Sequence, residues 1–284
     1  PAGSSVDISA RYLAGKLGER LYQNVVVDNR SGAGGSIAVE LVARAKPDGY
    51  TLLLAAPGAL TINPHLQRNL AYDTLRDFAP VVRVVNSTFV LTVSSTLPAK
   101  SVEELVALAK AKPLLAGSAG IATPGHLSLA LFNSMAGTRV EHVAYKGSVA
   151  ALVDLIGGAI HFSFAPSATA VPHIKSGKLT GIAVTNSKRS ALVPELRTMA
   201  EAGFKGFAVD SWYGLLTTAG TPRTVVHRLN GDIVKVLSTS DVQQFLLAQG
   251  LEASPGTPEE FGAQLKSEIS KWGRVVQESG IRIE

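Results

Sequence analysis

Apolar residues along this chain recur with two distinct periods. From Ser4 to Leu21, the residues Val6, Ile8, Ala10, Leu13, Ala14, Leu17 and Leu21 mostly fall at helical spacing behind a serine-rich start, which predicts a helix. Val25-Val26-Val27, bounded by Asn24 and Asp28, is a short β-branched run and predicts a strand. Ser31-Gly32-Ala33-Gly34-Gly35-Ser36 then opens a second helix expected to reach about Ala45. Lys46-Pro47-Asp48-Gly49 is a turn by composition, and Tyr50 to Ala56 reads as a buried strand. The order α, β, α, β predicts a parallel, doubly wound unit, with one further strand expected ahead of Pro1.

After a looser stretch from Asn63 to Pro80 the same alternation resumes. Strands are expected at Val81–Val85, Phe89–Ser94, Leu114–Ser118, Val140–Val143, Ile160–Ala165 and Gly181–Thr185. Helices are expected at Val102–Ala111, from about His126 to Ala136, and at Ala150–Ile156; the first has Ser101 as cap with Glu104 three residues on. Trp212 to Thr217 is again a strand, and from Pro222 two or three helices run to the C-terminus with no strand between them. Helices without a partner strand must cover an existing sheet, here that of the first lobe. The expectation is an α/β protein of two lobes: residues 1–90 with 217–284, and residues 91–216. Two hinge strands near 89–95 and 210–217 would join them across a cleft.

Length and composition agree with two packed lobes, since 284 residues at 46% hydrophobic content suffice for two medium cores. The formal charge of +5 is spread along the chain without a basic run or interleaved aromatics, which argues against nucleic acid as partner. With no cysteine, disulfides, thiolate nucleophiles and Cys-type zinc sites are excluded. No stretch reaches the roughly 18 continuous apolar residues that cross a bilayer, and no signal peptide is present; any export signal is expected upstream of Pro1.

Three turns stand where a strand gives way to a helix: Pro1-Ala2-Gly3-Ser4-Ser5, Ala56-Pro57-Gly58-Ala59, and Gly117-Ser118-Ala119-Gly120-Ile121-Ala122-Thr123-Pro124-Gly125-His126. Such turns expose unpaired N–H groups beside a positive helix end, a site suited to a carboxylate or phosphate. Small glycine-rich turns are also common for purely structural reasons. Turns from both lobes converging outside the carboxyl ends of their strands favour the ligand reading. Ser31–Ser36 lacks the lysine of a phosphate-cradling loop and reads as a tightly packed helix start. Ser118, Thr123 and His126 admit a nucleophile-and-base reading, but no GxSxG elbow surrounds the serine. The other histidines, His65, His142, His161, His173 and His227, lack metal spacing and default to surface or core. Tyr145-Lys146-Gly147 follows a strand and either closes on a ligand or is plain loop; Asp210 either meets a ligand hydroxyl or amine or caps a turn.

Taken together, Ala45-Lys46-Pro47-Asp48-Gly49-Tyr50, Gly117-Ser118-Ala119-Gly120 with His126-Leu127, Tyr145-Lys146-Gly147, Met199-Ala200-Glu201-Ala202-Gly203 and Thr257-Pro258-Glu259-Glu260-Phe261 resemble the Bug receptors. These are the TctC-like periplasmic solute-binding proteins of tripartite tricarboxylate transporters, and the resemblance runs the whole chain in order. It implies a type II periplasmic binding fold, no catalysis and no cofactor. It also implies a monomer that closes its lobes around a small carboxylate and delivers it to membrane transporter subunits. The positions it marks for the ligand are Ala2, Gly3, Ser4, Pro57, Gly58, Ser118, Ala119, Thr123, Gly125 and His126, with Tyr145, Lys146, Gly147 and Asp210 shaping the distal end. Departures from the family pattern are Ser4 in place of a glycine, Ile121-Ala122 after Gly120, Arg197 in place of a proline, and Ala165 where Asp or Asn is usual. The rivals are a two-lobed hydrolase using Ser118 and His126, which turnover of the ligand would reveal, and a sensor domain, which would need an output module.

Overall fold

The computed structural model describes residue 2 and residues 4–32, 35–67, 69–121 and 123–279. The chain divides into two compact units, one formed by residues 1–86 and 212–276 and the other by residues 87–211 with 277–284. It therefore passes from the first to the second at Asn86–Ser87 and returns at Ser211–Trp212.

In unit 1, helix α1 (Ser5–Leu21) starts where the Ser4 hydroxyl accepts the Asp7 N–H, and it ends on Tyr22 in the left-handed region, φ 53°. Helix α2 spans Ser36–Ala43, and strand β1 spans Leu52–Ala55. A π-helical turn (Gly58–Ile62) leads into the short α3 (Asn63–Leu66), after which come β2 (Phe78–Ser87) and, on the chain's return, β8 (Ser211–Thr218). Helices α8 (Arg223–Leu237), α9 (Ser240–Ala248) and α10 (Pro258–Ser279) follow, with strand β9 (Leu251–Ala253) between the last two. The sheet order is β1-β8-β2-β9. One core packs α1, α8 and α9 against Val81–Val85 of β2. The other gathers Trp212, Phe261 and Leu265 with β1 and α2. On α10, Phe261, Leu265, Glu268 and Trp272 form one buried stripe, and the Glu268 carboxylate accepts the Trp212 indole N–H at 2.9 and 3.0 Å.

Three sequence expectations are corrected here. Val25-Val26-Val27 forms no strand: Val26 is 85% exposed, and β propensity without a partner makes no ladder among the described residues. Strand β1 runs antiparallel to β8, so this sheet is not a wholly parallel one. Alternation reveals a strand but not its direction. Strand β9 interrupts what read as helices only, because three residues are too short for a visible period. The Phe89–Ser94 strand has all six residues buried and belongs to the sheet of unit 2.

Unit 2 carries β3 (Phe89–Ser94), α4 (Val102–Ala111), β4 (Leu115–Ser118), α5 (Pro124–Ala136), β5 (Glu141–Ala144), α6 (Ser148–Gly157), β6 (Phe162–Pro166), α7 (Ser167–Lys175) and β7 (Leu179–Val184). The order is β5-β4-β6-β3-β7. Helix α4 has the bounds and the cap that Ser101 and Glu104 announce: the Ser101 hydroxyl accepts the Glu104 N–H, and the Glu104 carboxylate accepts the Lys100 N–H. Helix α7 escaped the pattern because Pro172 lies inside it. One sheet face packs Phe162 and Phe164 on Phe132 of α5 and on Phe204 and Phe207. The other is aliphatic, with Leu152 and Leu155 of α6 and Ala170 of α7. Arg197, which departs from the family pattern, forms a forked ion pair with Glu103 of α4.

Candidate functional site

In unit 2, β5 and β6 both run parallel to β4, and β7 points the same way because β6 and β7 are each antiparallel to β3. Their carboxyl ends therefore share one edge of the sheet. Helices α5, α6 and α7 all begin there, at Thr123, Gly147 and Pro166, and none of these caps places a side chain on the first-turn N–H groups. Three positive helix ends on one edge form an electropositive rim suited to a carboxylate, although the first N–H of α7, that of Ser167, already donates to the Thr88 carbonyl at 2.8 Å.

Ser118 closes β4 and is 2% exposed. Its Oγ lies 2.7 Å from His142 Nε2 and 2.9 Å from the Gly120 carbonyl, and it accepts the Gly120 N–H at 3.1 Å. The Thr123 hydroxyl donates to the Gly120 carbonyl at 2.7 Å and approaches Ser118 Oγ at 3.4 Å. A hydroxyl has one proton and two lone pairs, so Ser118 is spent within the turn, shaping it for the backbone donors. Gly120 takes φ +135°, which only glycine adopts readily. At Gly125, a Cβ would stand 2.7 Å from the Phe164 carbonyl oxygen and 3.4 Å from Ser118 Cβ, so the absence of a side chain lets α5 start against the sheet.

The imidazoles of His126 and His142 stack with centroids 3.8 Å apart and planes 7° from parallel. Burial, then the neighbouring His142, pushes His126 down to about 4, and burial lowers His142 too; both are neutral at pH 7. His142 is the functional residue that sequence reasoning missed. The signal is faint: strand alternation places His142 two residues before the end of β5, and only the parallel register beside β4 carries it to Ser118. Ser118 thus pairs with His142, not with the His126 of a nucleophile-and-base reading.

The next turn is tied to the first, the Tyr145 N–H donating to the Ser118 carbonyl at 3.0 Å. The Tyr145 phenol donates to Asp154 Oδ2 at 2.7 Å, and burial with that acceptor raises it to about 12. Lys146 is exposed, and Gly147 takes φ +120°. Asp210 is elsewhere on this unit: its Oδ1 accepts the Ser187 N–H beyond β7, three strand spacings or about 14 Å from β4. Beside it, the buried Asn186 has a side-chain oxygen without a partner among the described residues. Ala165, at the end of β6, is 2% exposed and brings no polar group to the edge.

The remaining expected residues lie in unit 1. Ala2 is exposed, Ser4 caps α1, and Gly3 lies outside the described residues. Buried Pro57 caps the π-helical turn, and Gly58 has open space where a Cβ would point. The turn is held from behind: the Tyr72 hydroxyl donates to the Ala59 carbonyl, Thr74 to the Leu60 carbonyl at 2.7 Å, and Asn63 to Ser36 Oγ at 3.1 Å. Two concavities of unit 1, about 380 and 490 Å³, share Arg20, Tyr22 and Lys235 and contain none of the expected site residues. No group of three or more metal-ligating side chains occurs among the described residues, and none of their helices is long and apolar enough to cross a membrane.

Residues 9–281 match the tripartite tricarboxylate transporter family receptor, TctC. Protein BugT of Bordetella pertussis is 34% identical over all of this chain and 88% of its own length. Among solved structures, R. palustris Rpa4515 with adipate superposes with TM-score 0.81 at 34% identity, over 99% of this chain and 95% of that one. MatC of Rhodopseudomonas palustris with bound malate gives TM-score 0.76 at 30% identity, over 97% and 96%.

Proposed function

This chain belongs to the tripartite tricarboxylate transporter receptor family, TctC, a family of solute-binding receptors and not of enzymes, and we propose that it captures a small organic acid by one carboxylate at the carboxyl edge of unit 2. The fold is that of type II periplasmic binding proteins. The observation that carries the reading is the rim of three helix N-termini without side-chain caps around the Ser118–His126 turn. Main-chain N–H groups stabilise a carboxylate without a dedicated arginine, provided donors or waters satisfy both oxygens. That structural relatives hold adipate and malate supports an aliphatic dicarboxylate as first candidate.

In this reading Pro57–Gly58 and the start of α1 supply further backbone contacts as the lobes close, Tyr145–Gly147 and Asp210 shape the distal end, and the loaded monomer serves membrane transporter subunits from the periplasm. Closure follows from tighter binding to the closed state. A thermal-shift and calorimetric screen against adipate, malate, monocarboxylates, aromatic acids and amino acids tests it. A ligand at 100 times its Kd adds about 2.7 kcal/mol of apparent stability. Silence across all carboxylates, or turnover of one of them, overturns the proposal.

A further inference from the structure

We infer that the carboxyl end of β7 is a second subsite, where Asn186 and Asp210 take a protonated amine at the ligand's far end; this rests on the site proposed above. The ladder between β7 and β3 ends where the Thr185 N–H donates to the Phe89 carbonyl at 2.9 Å. On its other side Thr185 is held by Val209, whose N–H donates to the Thr185 carbonyl at 3.0 Å and whose carbonyl accepts the Thr185 hydroxyl at 2.9 Å. Asn186 therefore emerges past the ladder between Phe89 and Val209, on the edge that carries the helix rim. It is 5% exposed, yet its side-chain oxygen is buried without a hydrogen-bond partner among the described residues. An unpaired buried acceptor is destabilising and calls for a donor. The next residue, Ser187, gives its N–H to Asp210 Oδ1 at 3.1 Å, and the half-buried Asp210 makes no ion pair among the described residues.

The two side chains flank Ser187 and ask for the same chemistry. Both present acceptors, one of them anionic, so the group that completes them is a positively charged donor. An ammonium carries three N–H donors, enough for the amide oxygen and the carboxylate together. A dicarboxylate, the first candidate above, would instead bring a second negative charge against Asp210 and leave the Asn186 oxygen without a donor. The span sets the ligand's length. Three strand spacings, about 14 Å, less a hydrogen bond of about 3 Å at either end, leave about 8 Å. That is roughly the reach of an extended six-carbon acid with C–C bonds of about 1.5 Å. Between the two ends, Ala165 and Pro166 close β6 with apolar side chains that suit methylenes. The ligand class is thus a straight-chain acid with a carboxylate on the helix rim and an amine at its other end.

The test is calorimetry of the full chain with 6-aminohexanoate, hexanoate and adipate, acids of equal carbon number, and with malate. The amino acid should bind about tenfold more tightly than hexanoate, and more tightly than adipate. Asp210→Asn keeps an oxygen for the Ser187 N–H but removes the charge, and Asn186→Leu removes the amide at similar volume. Each should shrink the affinity ratio of the amino acid to hexanoate by about threefold or more. In the ligand-free protein, Asn186→Leu should leave the thermal midpoint as high as in wild type or higher, because it deletes an unpaired buried acceptor. A clear drop in that midpoint means that the amide is already satisfied without ligand, and it overturns the inference. So does tighter binding of adipate, equal binding of hexanoate and the amino acid, or a ratio that either variant leaves unchanged. In each of these cases, binding of any one carboxylate, malate included, leaves the receptor reading standing. Silence of all four acids overturns the inference together with its premise.

Discussion

The turn after β1 in unit 1 and the turn after β4 in unit 2 look alike as sequence, each a short small-residue link from strand to helix, yet they are built by different means. The first presents backbone at Pro57 and Gly58; apart from the Thr61 hydroxyl, which donates to the Pro57 carbonyl at 3.0 Å, its polar braces, from Tyr72, Thr74, Asn63 and Ser36, come from behind through carbonyls and buried hydroxyls. The second carries its braces within itself. Ser118, Thr123 and His142 bond to the turn's own backbone and to one another. A turn braced from behind offers shape without titratable groups facing the ligand. A turn braced from within makes the same groups answer for both its geometry and its charge.

The largest effect expected from testing this contrast is at Gly125. A Cβ there meets the Phe164 carbonyl, a backbone atom of a central strand that has nowhere to go. Gly125→Ala should cost about 1–3 kcal/mol, with faster peptide-resolved hydrogen exchange in β4, β6 and α5 and little change around Pro57. If exchange is unchanged in unit 2, α5 does not depend on this close approach.

Ser118→Ala comes next. It removes the centre of the network and leaves the Gly120 N–H and the His142 ring with poorer partners, a loss of about 1–2 kcal/mol in chemical denaturation. Adipate affinity should fall although the hydroxyl itself need not touch ligand. Tyr72→Phe is the counterpart in unit 1: loss of one buried hydroxyl that serves both Ala59 and Ser36 should cost about 1 kcal/mol. Both tryptophans lie in unit 1, so indole fluorescence should follow Tyr72→Phe more closely than Ser118→Ala. Equal fluorescence shifts would erase the distinction between the two turns.

How far the sequence alone reaches follows the same line between local and non-local information. Helix α4 is legible to the residue because Ser101, Glu104 and a helical period all sit within one short stretch. The turns at residues 56–59 and 117–126 are legible for the same reason, as glycine and proline declare themselves locally. Val25–Val27 misleads because a strand needs a partner and β propensity names none. The direction of β1, the hidden β9 and the meeting of Ser118 with His142 are decided by which strands lie side by side, and no window of the chain contains that fact. In the candidate site, the backbone scaffold could therefore be read in advance, while the histidine pair that sets its electrostatics could not.

The smallest expected effect is on stability against pH, and it separates the two turns without any substitution. His126 and His142 have folded-state pKa values below the unfolded value near 6.5. As pH falls below that value, the unfolded chain binds protons that the folded chain refuses, so stability is complete above about pH 6.5 and declines toward about pH 4, the value of His126. Solvent reaches both rings and moderates the loss. The carboxylates of Asp241, held down at about 2, and of Asp77, Glu103 and Glu201, also lowered, have ordinary values of 3.8 to 4.5 and lose their contribution below that range. Tyr72 in unit 1 is raised by burial above 10 and stays protonated throughout. Between about pH 6.5 and about pH 4.5, hydrogen exchange should therefore quicken in α5 and β5 first, while the segment around Pro57 to Tyr72 keeps its protection. Uniform quickening in both units would mean that the stacked histidines do not govern acid sensitivity here.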